Sequence, residues 1–563
     1  MKPWFQGSLG VAMVGNFTIS MLKLAGMAPL MFAALAIAIV PHRARHEPAP
    51  AASLPAFTPA WKALAATAID ILAFLICIGF AASMVLYLVS PGYLDHLEPL
   101  MAATAYMSLK GLPLYPTWSD ALYGDLYGPF GYQILSLGLL AQPSIAGSKI
   151  VTLLCTAAAF LFQYGAFRRL GRDKAPPLRL SAMAVIISSN TVYLLSNRPD
   201  PILFLLASFG IYALGADGRL IRALLIGAAA GLAADLKVHG CLYLAPAAAA
   251  LVAMQPDGAR RTLCLLLGIG TALLAALAPF ALPGASLAGY WAYLEPATGH
   301  GFVAFQLLEN MEFWSLLVTL PGIAYFALRP KLAKADQVFL VTLAASSALV
   351  SVIATKAGSG VHHLYPFIPS AIYGFGRILT AARHGNSRFA PQTVLALLFA
   401  LVTLTFGLSG ALRITESVAL VRQINRAGDA KLAEIASLAK AYPHAEMGVT
   451  DDDHYPDTFL SPFLVFSGHG FHFNAGAWMD LRQDNVSERY AAALFDKCRI
   501  PVWILPSHGG PFTLPSYYSW GPLFTGQFRA SFAANYKLIK RGGFYNVWAC
   551  KRPETAAGSA TPA

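Results

Sequence analysis

Five short stretches of the chain carry ionisable side chains in surroundings otherwise poor in charge. They are Asp95 and Glu98 in DHLEP; Arg198 and Asp200 in SNRPDP; Asp235, Lys237 and His239 in DLKVHG; Glu295 and His300 after an aromatic run; and Lys356, His362 and His363 in TKAGSGVHHLYP. A carboxylate can take the proton from an attacking hydroxyl. A lysine or arginine can meet the charge that develops on a leaving phosphate. Apolar spacing from Asp95 to Leu109 predicts a helix, with Asp95 and Glu98 on one face of it. Asp200 either caps the helix that follows or faces the same space as Asp95. Lys237 either pairs with Asp235 or holds a phosphate. The His362-His363 pair has no identifiable further ligand, so its spacing alone does not make a metal site.

These stretches must be positioned by a membrane framework. The 563 residues are 56% hydrophobic and only 12% charged, which excludes a water-soluble globule of this size. Six cysteines exclude a disulfide scaffold, and the apolar content excludes a disordered chain. The expected class is a polytopic α-helical membrane protein of about 11–12 spans, with a small C-terminal α/β soluble domain. Eleven apolar runs lie at about 65–90, 149–167, 180–196, 201–216, 222–235, 241–255, 262–282, 312–328, 337–355, 364–380 and 392–411. A further run at about 24–40 is either another span or part of an over-long start, and no secretory cleavage site follows it.

Charge gives the orientation. The net charge is +12, and residues 1–411 hold 25 basic and 15 acidic residues, so +10 of it. Every second loop is basic, from Arg43, Arg45 and Lys62 to Arg383 and Arg388. Basic loops stay in the cytoplasm, so the surplus reflects topology and not a nucleic-acid partner. Segments 91–148, 197–200, 236–240, 283–311 and 356–363 then lie on the far side, with the soluble tail. All the ionisable stretches fall on that side. A transporter would place such residues within its spans.

The first far-side loop, 91–148, also carries Asp120, Asp125 and a dense aromatic set that includes Tyr115, Tyr127 and Tyr132. In the tail, residues 412–441 have helical spacing, EMGVT and RIPVWILPS read as buried strands, and YKLIKRGGFYNVWACKR reads as a hairpin. DDDHYPD at 451–457 reads first as a solvated acidic loop, with a cation site or glycan contact as the sharper readings. Cys498 and Cys550 are candidates for a disulfide on the oxidising side, provided their Cα atoms lie within about 7 Å.

Taken together, these motifs resemble the glycosyltransferase C superfamily. The first outer loop carries Asp95-x-x-Glu98, then GLPLY at 111–115 and YGP at 127–129; RPDP resembles the acidic second outer loop, and LKVHG and KAGSGVHHLYP resemble its basic donor-phosphate segments. Many members have adjacent acids in the first loop, whereas here two residues separate them. The resemblance implies inverting transfer of a sugar from a polyprenyl-phosphate donor to a hydroxyl acceptor (lipid, cell-envelope glycan or protein) at the outer face of the inner (plasma) membrane. It implies Asp95 as the base, with Glu98 and Asp200 as further catalytic carboxylates that orient the acceptor or bind a divalent metal. Lys237, Lys356 and Arg198 would bind the donor phosphate, and Tyr127, His300, His362 and His363 would bind substrate. The organisation is then an N-terminal segment 1–64, a transmembrane domain 65–411, a periplasmic domain 412–552 and a disordered tail 553–563. A lipid-glycan flippase and a non-catalytic receptor are the alternatives. The transferase reading requires Asp95, Asp200, Lys237 and Lys356 to converge.

Overall fold

The structure, a computed structural model, describes residues 59–171, 175–297, 299, 301–383, 389–496, 498–519 and 521–551. The 24–40 run, His300 and the 553–563 tail lie outside the described residues.

Each of the eleven apolar runs from residue 65 onward overlaps a helix, although the 180–196 run is helical only to Ser188. In chain order the helices are α1 (Pro59–Val89), α2 (Leu97–Leu109), α3 (Pro129–Ser136), α4 (Ile145–Arg168), α5 (Ala175–Ser188), α6 (Asp200–Ala213) and α7 (Arg219–Leu236). There follow α8 (Ala245–Ala253), α9 (Gly258–Leu277), α10 (Leu287–Ala297), α11 (Ala304–Leu328), α12 (Lys334–Ile353), α13 (Ile368–Ala382) and α14 (Pro391–Ala441). Among the described residues six helices are long and apolar enough to cross a bilayer unaided: those over Ala63–Val89, Ile145–Arg168, Gly258–Ala281, Ala304–Leu328, Lys334–Ile353 and Pro391–Ala441. The shorter ones end where the chain turns into the ionisable stretches: α5 before Arg198, α7 before Lys237, and α13 after the turn that holds His362 and His363. Non-helical backbone at that depth survives only where protein buries it or a polar cavity hydrates it.

The spans expose apolar side chains outward, Leu161 and Leu274 each above 70%. Such a surface needs lipid around it. Inside, α7 lies against α9 at backbone contact. A Cβ on Gly231 would come within 2.1 Å of the Ala272 carbonyl oxygen, the close approach that small residues permit between membrane helices.

The last span does not end at residue 411. α14 runs unbroken for 51 residues, so the helical spacing of 412–441 is the continuation of that span into the soluble domain. Beyond it lies a four-stranded sheet of β1 (Ala445–Met447), β2 (Val502–Pro506), β3 (Tyr536–Lys540) and β4 (Tyr545–Cys550), in the order β1-β2-β4-β3. β1 pairs parallel with β2, and β3–β4 is the expected antiparallel hairpin. Trp478, Trp503, Phe495 and Phe512, all buried, fill the space between sheet and helices.

Cys498 and Cys550 are bonded, with Cα atoms 6.0 Å apart and a sequence separation of 52. Closing a loop of that length removes unfolded-state entropy worth about 4 kcal/mol in the chain-entropy treatment. Replacing both cysteines by serine is expected to lower the unfolding temperature of the soluble domain by several degrees. Differential scanning fluorimetry of the purified chain, with and without reductant, checks this; equal melting would show that the bridge contributes nothing.

The soluble domain sits on the first outer loop. Leu122 forms a parallel bridge with Phe473, with its N–H on the His472 carbonyl at 2.6 Å and its own carbonyl accepting from Asn474. Arg499 reaches the Ser119 carbonyl at 2.7 Å. The loop and the domain therefore lie at the same end of the bundle, as the charge alternation requires.

Candidate functional site

Asp95 precedes helix α2 and is not on it. The helix starts at Leu97, with His96 as its N-cap. Asp95 and Glu98 consequently do not share a face. Asp95 accepts the Leu97 N–H at 2.8 Å and turns outward, its side chain 19% exposed. Glu98 turns inward and is fully buried. Its carboxylate accepts the backbone N–H groups of Leu94 (2.7 Å), Asp95 (2.9 Å) and Asn197 (2.7 Å), and the Tyr87 hydroxyl. Behind it, Lys149 donates to the carbonyls of Tyr87, Ser90 and Gly92 at 2.6–3.0 Å, closing the end of α1. Glu98 thus holds the Asp95 loop to the Asn197 loop.

From Asp95 an unbroken ion chain crosses to the second and third outer loops. Arg198 Nη1 meets Asp95 Oδ1 at 2.8 Å and its Nε meets Asp200 Oδ2 at 3.3 Å; Lys237 Nζ meets Asp200 Oδ1 at 3.0 Å. Arg198, Asp200 and Lys237 are all buried. Asp200 makes no helix cap; Pro199 holds that position and the carboxylate faces the cations instead. Lys237 pairs with Asp200 and not with its sequence neighbour Asp235, whose Oδ2 accepts the Phe130 N–H at 2.9 Å. Tyr127 lies beside Lys237, with the ammonium 5.7 Å from the ring centroid. The YGP turn that carries Tyr127 fits only with glycine in its middle, because a Cβ on Gly128 would overlap the Asp235 carbonyl oxygen at 1.9 Å.

The charges explain each group's basicity. Burial pushes the Asp95 carboxyl up, but Arg198, His96 and the Leu97 N–H together hold it below the ordinary carboxylate range. Burial pushes Asp125 up to about 6, against the opposing effects of the Leu126 N–H, Arg198 and Lys237. Asp125 is therefore a third acid on the same space, one that loop composition alone does not distinguish from exposed Asp120.

The remaining predicted residues divide. His362 is buried against Tyr193, rings 5.0 Å apart, within electrostatic reach of Asp200. His363 Nδ1 lies 3.0 Å from His239 Nε2, which in turn contacts the Tyr243 hydroxyl. Lys356 does not join the ion chain, so three of the four residues expected to converge do so. Its ammonium reaches the Ala297 carbonyl at 3.3 Å. Its loop still borders the site, because Gly358 packs against Tyr518 of the soluble domain, and Tyr518 feels the charge of Asp125. The geometry does not fit a divalent ion on Glu98 and Asp200: Glu98 is occupied by N–H and O–H donors, Asp200 by two cations, and among the described residues no three His, Cys, Asp or Glu side chains converge as ligands.

The Glu98 clamp gives a direct expectation. Glu98→Ala leaves three N–H groups and a hydroxyl unpaired in an apolar interior, a loss of about 3–5 kcal/mol. A drop of several degrees in the unfolding temperature in detergent should follow; unchanged melting would show that the clamp is not structural.

Neither a family model nor a curated protein sequence matches the chain. Solved structures do. ArnT from Cupriavidus metallidurans in the apo state superposes with a TM-score of 0.51 at 14% identity, over 87% of this chain and 98% of that one. The same protein bound to undecaprenyl phosphate gives 0.48 at 13% identity, over 88% and 98%. Arabinosyltransferase EmbB from Mycobacterium smegmatis gives 0.39 at 13%, over 72% of this chain and 44% of that one. The first superposition covers 87% of this chain and nearly all of that one, so the chain has an ArnT-like polytopic helical fold.

Proposed function

We propose that the chain is a membrane glycosyltransferase that moves a sugar from a polyprenyl-phosphate donor to a hydroxyl acceptor at the outer face of the cytoplasmic membrane, with inversion. The observation that carries this reading is the Asp95–Arg198–Asp200–Lys237 chain, assembled from three outer loops at one end of an apolar bundle.

The chemistry follows from that arrangement. The acceptor oxygen forms a bond to the anomeric carbon as the bond from that carbon to the phosphate oxygen breaks. The electron pair of the broken bond leaves with the polyprenyl phosphate, and the acceptor proton passes to Asp95. Lys237 and Arg198 meet the phosphate charge, where fixed cations in a dry site act strongly. Arg198 links the two events. While it holds Asp95 the carboxylate is a weak base; a donor phosphate that draws the guanidinium toward itself weakens that hold and raises the basicity of Asp95. His362, His363 and Tyr127 line the donor side.

The test is mass spectrometry of envelope glycolipids and glycans from cells with and without the chain. One component is expected to lose a single sugar mass when the chain is removed and to regain it on complementation. Identical profiles, together with no release of polyprenyl phosphate from sugar-bearing lipids by the purified protein, would overturn the reading.

A further inference from the structure

Four buried polar atoms beside the ion chain have no hydrogen-bond partner: Asp125 Oδ2, Asp235 Oδ1, Tyr132 Oη and Tyr290 Oη. Their residues are 0–6% exposed. They come from separate elements: Asp125 from the first outer loop, Tyr132 from α3, Asp235 from the end of α7 and Tyr290 from α10. They gather around one turn, residues 127–130: Asp235 accepts the Phe130 N–H at 2.9 Å, and Tyr290 packs against Tyr115, which donates to the Tyr127 carbonyl. The cluster adjoins the cations, since Lys237 and Arg198 both act on Asp125.

Buried polar groups are seldom left unpaired, and a group of four needs a common reason. The surrounding framework is not slack. Tyr115, whose ring lies 5.4 Å from that of Tyr290, donates its hydroxyl to the Tyr127 carbonyl at 2.6 Å, and Tyr293 donates to the Pro116 carbonyl at 2.9 Å. Neighbouring tyrosines of the same loops are thus satisfied while these two are not. Two carboxylate oxygens and two phenolic hydroxyls form a set of acceptors and donors suited to neutral vicinal hydroxyls. A site built to bond hydroxyls discriminates strongly against ligands that lack them.

We infer that Asp125, Asp235, Tyr132 and Tyr290 form the recess that binds the hydroxyls of the transferred sugar, beside the Lys237–Arg198 phosphate site. This rests on the glycosyltransferase reading and adds to it the residues that recognise the sugar.

The experiment compares the full chain with its Tyr132→Phe/Tyr290→Phe double variant, which removes two oxygen atoms and no ring. Binding is measured for undecaprenyl phosphate and for undecaprenyl phosphate bearing glucose, mannose or arabinose. The unaltered chain is expected to bind at least one sugar-bearing lipid tenfold or more tighter than the bare lipid. The double variant should lose that preference, hold the bare lipid within twofold, and melt no lower than the parent. A retained sugar preference in the variant overturns the recess and leaves the transferase reading standing. Melting several degrees lower also overturns it, because the hydroxyls would then be bonded within the resting protein. An unaltered chain that binds neither lipid class overturns the transferase reading itself, and the recess with it.

Discussion

Asp95→Asn is expected to lower sugar transfer by about 1,000-fold while leaving expression, folding and donor binding in place. General base catalysis is worth about 100- to 10,000-fold, and the amide cannot accept the proton. The change is nearly isosteric. An asparagine Oδ1 can still accept the Leu97 N–H, and Arg198 keeps its contact with Asp200 at 3.3 Å. The effect should therefore fall on kcat and not on KM for the donor. Turnover of a radiolabelled polyprenyl-phosphate sugar in proteoliposomes is the measurement. Retention of more than about a tenth of the activity would move the base elsewhere, with Asp125 the next carboxyl on the same space. Because Arg198 and His96 hold Asp95 ionised, its base form is complete throughout the neutral range and is lost only as pH falls below the ordinary carboxylate range.

Lys237→Met is expected to weaken donor binding by about 30- to 1,000-fold, the loss that follows when one partner of a buried charge contact is truncated. It also strands Asp200, which is fully buried and keeps only Arg198. Breaking such a pair costs about 3–5 kcal/mol of stability. The two effects separate in the double variant Lys237→Met/Asp200→Asn. Stability should return, since no uncompensated carboxylate remains buried, whereas donor affinity should not. Thermal unfolding and donor titration on the same preparations check both halves. Recovery of donor affinity in the double variant would mean that Lys237 serves the fold alone.

How far these residues could be read in advance depends on the kind of signal each carries. Lys237 stood out because it is a cation on the side of the membrane where loops carry few. Lys149, just past the end of the first far-side segment, is a cation of the same kind and serves a different end: it closes α1 through three carbonyls. Sidedness marks a residue as unusual and does not say what it binds. Asp95 and Glu98 show the limit of periodicity. Their spacing predicts a shared helical face, but the helix begins two residues after Asp95, because Glu98 draws the Leu94 and Asp95 N–H groups back onto itself. Asp125 and Asp120 are alike in the sequence, five residues apart in one loop. One is 4% exposed among tyrosines, and the other hydrogen-bonds Thr117 at the surface.

The sequence by itself determined the class, the order and approximate places of the apolar helices from residue 65 onward, and the sheet elements of the soluble domain. These follow from composition and local periodicity, which act over tens of residues. It also determined which loops share a side, because moving charge across lipid is costly wherever in the chain it occurs. Only the tertiary structure decided that Arg198 reaches Asp95 103 residues away and that Lys237 chooses Asp200 over Asp235. It alone gathered four unpaired polar atoms from separate elements. Such contacts depend on how helix ends pack against one another, and no local pattern in the chain records which end meets which.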